Sequence, residues 1–198
     1  PKAIDRDRVM GYAKGINSYP PNVFFETPTD RVKLDTSYGI MTLEKSIVEV
    51  LSRSPDQHLI LILDPVYKLM AGHISDEYDV KKFQDNVDML LQKYPMTVIL
   101  IHHSRLSKHD AEGNIIDGGA EDVMGSSYWN NWVDTLVRVK LTNPHTGADE
   151  VSVQFELTRN AYTFLPSFDI KWSRGNLQPK ITRIHKLDFD DISTKRLE

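Results

Sequence analysis

Two stretches of this chain end apolar runs in residues able to do chemistry. His58-Leu-Ile-Leu-Ile-Leu-Asp64-Pro65 closes an unbroken Leu/Ile run on an acid, and Thr97-Val-Ile-Leu-Ile101 leads into His102 and His103. A carboxylate in such a place can hold Mg²⁺ through water, and an imidazole can sense a phosphate. Asp-Pro is also a common turn opener, and a His-His pair can simply hydrogen-bond at a strand end, so the residues alone leave both readings open. Vicinal histidines on an extended strand point to opposite faces, so one of the two faces any given site. Two weaker groups follow. Gly125-Ser126-Ser127 can offer backbone amides and hydroxyls to an anion or to a subunit interface. Arg159, within Thr158-Arg-Asn160, can grip a phosphate with paired hydrogen bonds or stay solvated.

The elements that must position these groups follow from hydrophobic period. The run 59–63 has no polar alternation and predicts a strand buried on both faces, as in a parallel sheet covered by helices. Its carboxyl end, where Asp64 sits, is the edge at which open α/β sheets bind ligands. Val66 to Met70 reads as one or two helical turns, and Ala71-Gly72 opens a polar loop to about Asp79. Val80, Phe83, Val87, Leu90 and Leu91 then mark an amphipathic helix over 79–93, closed by Tyr94-Pro95. Strand, helix and strand in this order make a βαβ unit with parallel strands, which brings His102 and His103 beside Asp64.

Upstream, Ile4–Lys14 reads as a helix, Val23–Glu26 as a short strand with Glu26 at its end, and the stretch up to Gly39 as loop. A helix is expected from a Thr42 cap to about Arg53, with Leu43, Ile47, Val50 and Leu51 on one stripe. Downstream, residues 104–119 are charged and aperiodic, as functional loops often are, and Tyr128–Asp134 reads as a short helix carrying two tryptophans inward. From Thr135 the period becomes two: 136–141 and 151–157 flank a turn at 143–147, and 168–172 and 181–184 form a second hairpin. Residues 1–187 are read as one domain, and 188–198 as a charged, frayed tail.

Composition bounds the function. With 198 residues, 40% hydrophobic, the chain can bury one substantial core. A net charge of -4 rules out a global basic field, so contact with nucleic acid needs a local patch or several copies around a channel. There is no cysteine, which excludes disulfides and thiolate metal sites and fits a reducing compartment. No segment has the length of a membrane span and the first residues are not signal-like, so a soluble, cytoplasmic protein without membrane partners is expected.

Taken in order, LILILDP (59–65), DNVDMLLQ (85–92), VILIHHSR (98–105), VMGSS (123–127) and FELTRNA (155–161) resemble the RecA-like P-loop ATPases of the hexameric replicative helicase type, nearest to the RepA-like plasmid and phage group. The resemblance covers roughly residues 1–172. It implies an α/β fold, a RecA-like core with parallel central strands flanked by helices plus antiparallel C-terminal hairpins. It also implies ATP and Mg²⁺ as cofactors of the complete domain, DNA (single-stranded) as partner, and a homo-oligomeric, hexameric ring acting in replication or recombination. Asp64 matches the Walker B acid that supports Mg²⁺, and His103 the polar sensor between γ-phosphate and DNA loop. His102, Gly125 and Ser126 fall to nucleotide binding. Arg159 matches an arginine supplied to the neighbouring subunit, where it neutralises charge developing on the phosphoryl group. The DNA-contacting loops correspond to about 71–78 and 104–119, in which Arg105 and Lys108 are the evident phosphate partners.

The chain departs from this pattern in substance. It has no G-x-x-x-x-G-K-[ST] segment, so the phosphate cradle and its lysine are missing, together with the expected catalytic Glu. Leu157 stands where the family has the finger lysine, and Ala161 where it has glycine. The chain therefore reads as a part of such an ATPase, expected to be inactive in isolation. Two other classes compete. A metal-dependent hydrolase would gather Asp64, His102 and His103, with His109 or Asp117, around Zn²⁺ or Mn²⁺. A non-catalytic RecA-like module would serve assembly or DNA binding.

Overall fold

A computed structural model describes residues 23–24, 32–53, 55–103, 127–142, 150–163, 165–172 and 178–186, and the backbone of 108–109 and 115–116. The expected helix at Ile4–Lys14, Phe25 and Glu26 of the expected early strand, and the tail 188–198 lie outside these residues; Val23 and Phe24 are in no strand. The chain forms two compact units, one spanning Phe24–Val133 and the other containing Asp134–Glu198.

The first unit is built on helix α1 (Ser37–Arg53), strand β1 (Leu59–Leu63), a 3-10 turn (Val66–Leu69), helix α2 (Glu77–Lys93) and strand β2 (Met96–Leu100). Helix α1 begins earlier than the expected Thr42 because Thr36 caps it. The Thr36 hydroxyl accepts from the Gly39 amide at 3.1 Å and donates to the Lys33 carbonyl at 2.6 Å. Gly39 is obligatory there, since a Cβ would lie 1.9 Å from the Lys33 carbonyl oxygen. Thr42, one turn inside, bonds back to the Tyr38 carbonyl at 2.8 Å. Asp76 caps α2, accepting from the Asp79 amide at 3.0 Å.

Strands β1 and β2 pair in parallel, with Leu59 opposite Met96 and Leu63 opposite Leu100, and Asp64-Pro65 is a cis peptide. The expected βαβ unit is present. The expectation of a strand buried on both faces is not met. Leu63 is 5% exposed, whereas Ile60 and Ile62 are each 59% exposed, and on β2 the same alternation leaves Ile99 exposed and Val98 half-buried. Among the described residues the helices cover the leucine face and leave the isoleucine face open.

The covered face packs on two clusters. Leu63, Val66, Val80, Val87 and Leu34 surround Phe83, which is fully buried, together with Trp129. Ile40, Ile47, Leu90 and Met96 form the second. Trp129 comes from a short helix, α3 (Tyr128–Trp132), held against α2 by ring contacts and hydrogen bonds. The Phe83 and Trp129 rings meet edge to face at 5.5 Å, the Gln84 side chain donates to the Tyr128 carbonyl at 3.1 Å, and the Trp132 indole donates to Asp88 at 2.9 Å. The expected inward tryptophan helix is therefore found. Within the aperiodic stretch 104–119, the short strands β3 (Lys108–His109) and β4 (Ile115–Ile116) pair antiparallel.

The second unit is one antiparallel sheet of β5 (Thr135–Leu141), β6 (Glu150–Thr158), β7 (Phe168–Trp172) and β8 (Pro179–Ile184), in that order. The two expected hairpins are thus fused, through pairing of Val151 with Ile170 and Val153 with Phe168. One face aligns Val137, Val139, Val153, Phe155, Phe168 and Ile170. The other carries charge: Arg138 pairs with Glu156 at 3.2 Å, and His185 Nε2 lies 3.0 Å from Asp169 Oδ1. That hydrogen bond from His185 holds the Asp169 carboxyl below its usual range.

Since Phe83 joins both tryptophans of α3 to α2, Phe83→Ala is expected to cost about 3–5 kcal/mol. Chemical denaturation followed by tryptophan fluorescence measures it, and a loss under about 1 kcal/mol would show that the aromatic cluster is not the centre of this core.

Candidate functional site

Parallel register decides which side chains share a face. On β1 the leucines 59, 61 and 63 face the helices, so Ile60, Ile62 and, by continuation, Asp64 belong to the open face. On β2 Val98 and Leu100 face the helices, while Ile99, Ile101 and His103 are exposed. Backbone pairing continues past the strand ends: the Ile101 amide donates to Leu63 at 2.9 Å, and the Val66 amide donates to Ile101 at 3.0 Å. Asp64 and His103 are therefore exposed at adjacent strand ends, on the same face of one sheet.

His102 goes to the other side. Its ring meets Trp129 at 5.2 Å between centroids, and its Nδ1 lies 2.8 Å from the His103 carbonyl oxygen. A carbonyl only accepts, so Nδ1 carries the proton and Nε2 keeps a lone pair, which is buried without a partner. Burial pushes this imidazole below the ordinary histidine value of 6.5. His102 thus serves packing, and the two histidines do not converge on one ligand. That weighs against a zinc site built from both. Among the described residues no group of three or more His, Asp or Glu side chains gathers that could hold a metal ion.

The Asp64 carboxylate and the His103 ring nitrogens share a further property with a residue that the sequence did not single out. Tyr67, on the 3-10 turn, packs its ring against His103 at 5.2 Å with a 49° tilt. Among the described residues, no hydrogen bond or ion pair engages Asp64, the Tyr67 hydroxyl or the His103 ring nitrogens. An acid, a phenol and an imidazole are left free at one sheet edge, where ligands of open α/β sheets bind. A lone exposed carboxylate fits Mg²⁺, which usually takes one or two protein carboxylates and completes its shell with water and substrate phosphates.

Several other carboxylates of this unit are engaged. Asp35, buried, accepts from the Ala71 amide at 2.8 and 2.9 Å and from the Gly72 amide at 2.8 Å. Lys33 donates to the Lys68 and Met70 carbonyls, both at 2.7 Å, and Asp79 accepts from the His73 amide at 2.8 Å. The loop 71–78, expected to contact DNA, is therefore tied down by acids, and its first amides have no capacity left for phosphate. Nothing in the sequence pairs residues 33–35 with 68–72, because the contacts cross from a stretch without periodicity.

The other expected site residues belong to the second unit or lie outside the described residues. Arg159 follows β6 in the second unit, exposed, its amide donating to the Asp134 carbonyl at 2.9 Å. Arg105, Gly125, Ser126 and Asp117 lie outside the described residues, as do the side chains of Lys108 and His109.

Two outcomes separate free from occupied groups. Asp64→Asn is expected to change stability by no more than about 0.5 kcal/mol, and Asp35→Asn to cost about 1–3 kcal/mol, both by urea denaturation. Equal losses would remove the distinction. The lowered His102 value has a definite sign: the unfolded chain binds this proton more readily, so stability present above pH 6.5 falls as pH drops through the folded value. Denaturation midpoints between about pH 7.5 and 5.5 should fall less steeply in His102→Gln, and an unchanged slope would assign the acid sensitivity elsewhere. Compared with known proteins, the chain matches no family model and no curated protein.

Proposed function

We propose that this chain is part of a RecA-like, ATP-driven DNA helicase or translocase of the hexameric type, working in replication or recombination. The observation that carries the reading is the pair of unengaged groups, Asp64 and His103, on one face at the ends of adjacent parallel strands. The parallel strand-helix-strand unit and the antiparallel sheet that follows it in sequence have the element order that the resemblance implies.

In this reading Asp64 holds Mg²⁺ through water, and the bound cation neutralises charge on the phosphates during transfer. His103, on the same face, senses the terminal phosphate. Arg159 acts in the neighbouring subunit of a ring, which makes hydrolysis depend on assembly. These 198 residues hold no G-x-x-x-x-G-K-[ST] phosphate-cradling loop. His102, turned into the core, supports His103 from behind and does not touch the nucleotide.

These 198 residues alone are expected to show no ATP turnover. A domain completed with a Walker A segment should hydrolyse ATP with stimulation by single-stranded DNA, and Asp64→Asn should lower kcat by roughly 100-fold or more. Turnover by the isolated chain that Asp64→Asn abolishes would contradict the proposal. Stoichiometric zinc in protein purified without added metal would replace it with the hydrolase reading.

A further inference from the structure

Among the described residues, the loop that follows the 3-10 turn offers little to a nucleic-acid backbone. Asp64 is exposed at the sheet edge, and the loop presents Asp76, Glu77 and Asp79 before the first turn of α2 is complete. The amides of Ala71, Gly72 and His73, which would otherwise cradle a phosphate, are already donated to Asp35 and Asp79. What the edge does offer is ring surface. Tyr67 is 43% exposed and His103 is exposed, their ring centroids 5.2 Å apart and tilted by 49°. Tyr78, at the start of α2, is 76% exposed.

Exposed ring faces take up uncharged aromatic ligand parts by stacking. Bases of a single strand present such faces, and stacking is tolerant of sequence because every base has one. The Tyr67 hydroxyl and His103 nitrogens, which have no partner among the described residues, remain able to meet a base edge. Since Tyr67 stands on the turn leaving Asp64 and His103 ends the adjacent strand, a base stacked here would touch the same imidazole that faces the proposed phosphate site. We propose that Tyr67 and His103 form a nucleobase-stacking platform, at which a single strand is held by its bases and not by its phosphates. This rests on the single-strand reading above.

The test uses the full chain, an oligothymidylate strand, and an abasic deoxyribose-phosphate strand of equal length, with the Tyr67 and His103 ring signals followed by NMR. The expected result is that oligothymidylate moves both sets of signals upfield while the abasic strand does not. Tyr67→Leu should weaken oligothymidylate binding roughly tenfold or more, and Tyr67→Phe, which keeps the ring, should stay within about twofold of the parent chain. Circular dichroism of both variants confirms that the fold is retained. Equal binding of the two strands, or binding without movement of either ring, overturns the platform and leaves the single-strand reading standing. Absence of binding by both strands overturns the two together. Movement of the rings by ADP but not by oligothymidylate assigns the surface to a free nucleotide and overturns the strand proposal.

Discussion

Parallel pairing of β1 with β2 is the constraint on which the first unit depends. Side chains alternate along a strand, so once Leu63 stands opposite Leu100, every residue of both strands is committed to a face. The leucines, Val98 and His102 go to the helices. The isoleucines, Asp64 and His103 go to the open side. A slip of one residue on β1 would turn the Asp64 carboxylate toward Phe83, Val66 and Trp129, at a cost of several kcal/mol for an unpaired charge. The register that packs the core is thus the same register that exposes Asp64 and His103.

Around this pairing, the distribution of hydrogen bonds separates scaffold from site. Asp35 and Lys33 bind the backbone of 68–72, Asp76 caps α2, and Asp88 holds Trp132. These contacts fix the turn that bears Tyr67 and the helix that covers the sheet. Asp64, Tyr67 and His103 are spared. Folding leaves polar groups uncommitted at little cost only where water reaches them, and such groups retain their full capacity for a ligand. Binding energy at this edge therefore does not have to compete with existing protein contacts.

The open isoleucine face has a different meaning. A two-stranded sheet is marginal on its own, and here it survives because α1 and α2 bury its other side. Continuous β-branched residues on the uncovered side agree with the sequence-level expectation of a strand buried on both faces, which the described residues satisfy on one face only.

Much of the first unit could be read from residue order alone. The apolar runs, the spacing of Val80, Phe83, Val87 and Leu90, and the Asp64 and His103 positions are consequences of local period and of chain connectivity, which a sequence states directly. The antiparallel strands after Thr135 are equally plain, because period two and turn residues are local signals. The sequence did not separate His102 from His103 by role, nor could it mark Tyr67 or Asp35. Those assignments depend on which face is covered and on contacts between segments more than thirty residues apart, such as Asp35 with Ala71. Residue type alone does not choose between Thr36 and Thr42 as the cap of α1; the backbone amide that the Thr36 hydroxyl reaches does. The sequence by itself determined the strands, the helices and the chemistry of the acid and the imidazoles. Only the tertiary structure decided which imidazole faces the acid, because a face exists only once strands pair and helices cover one side.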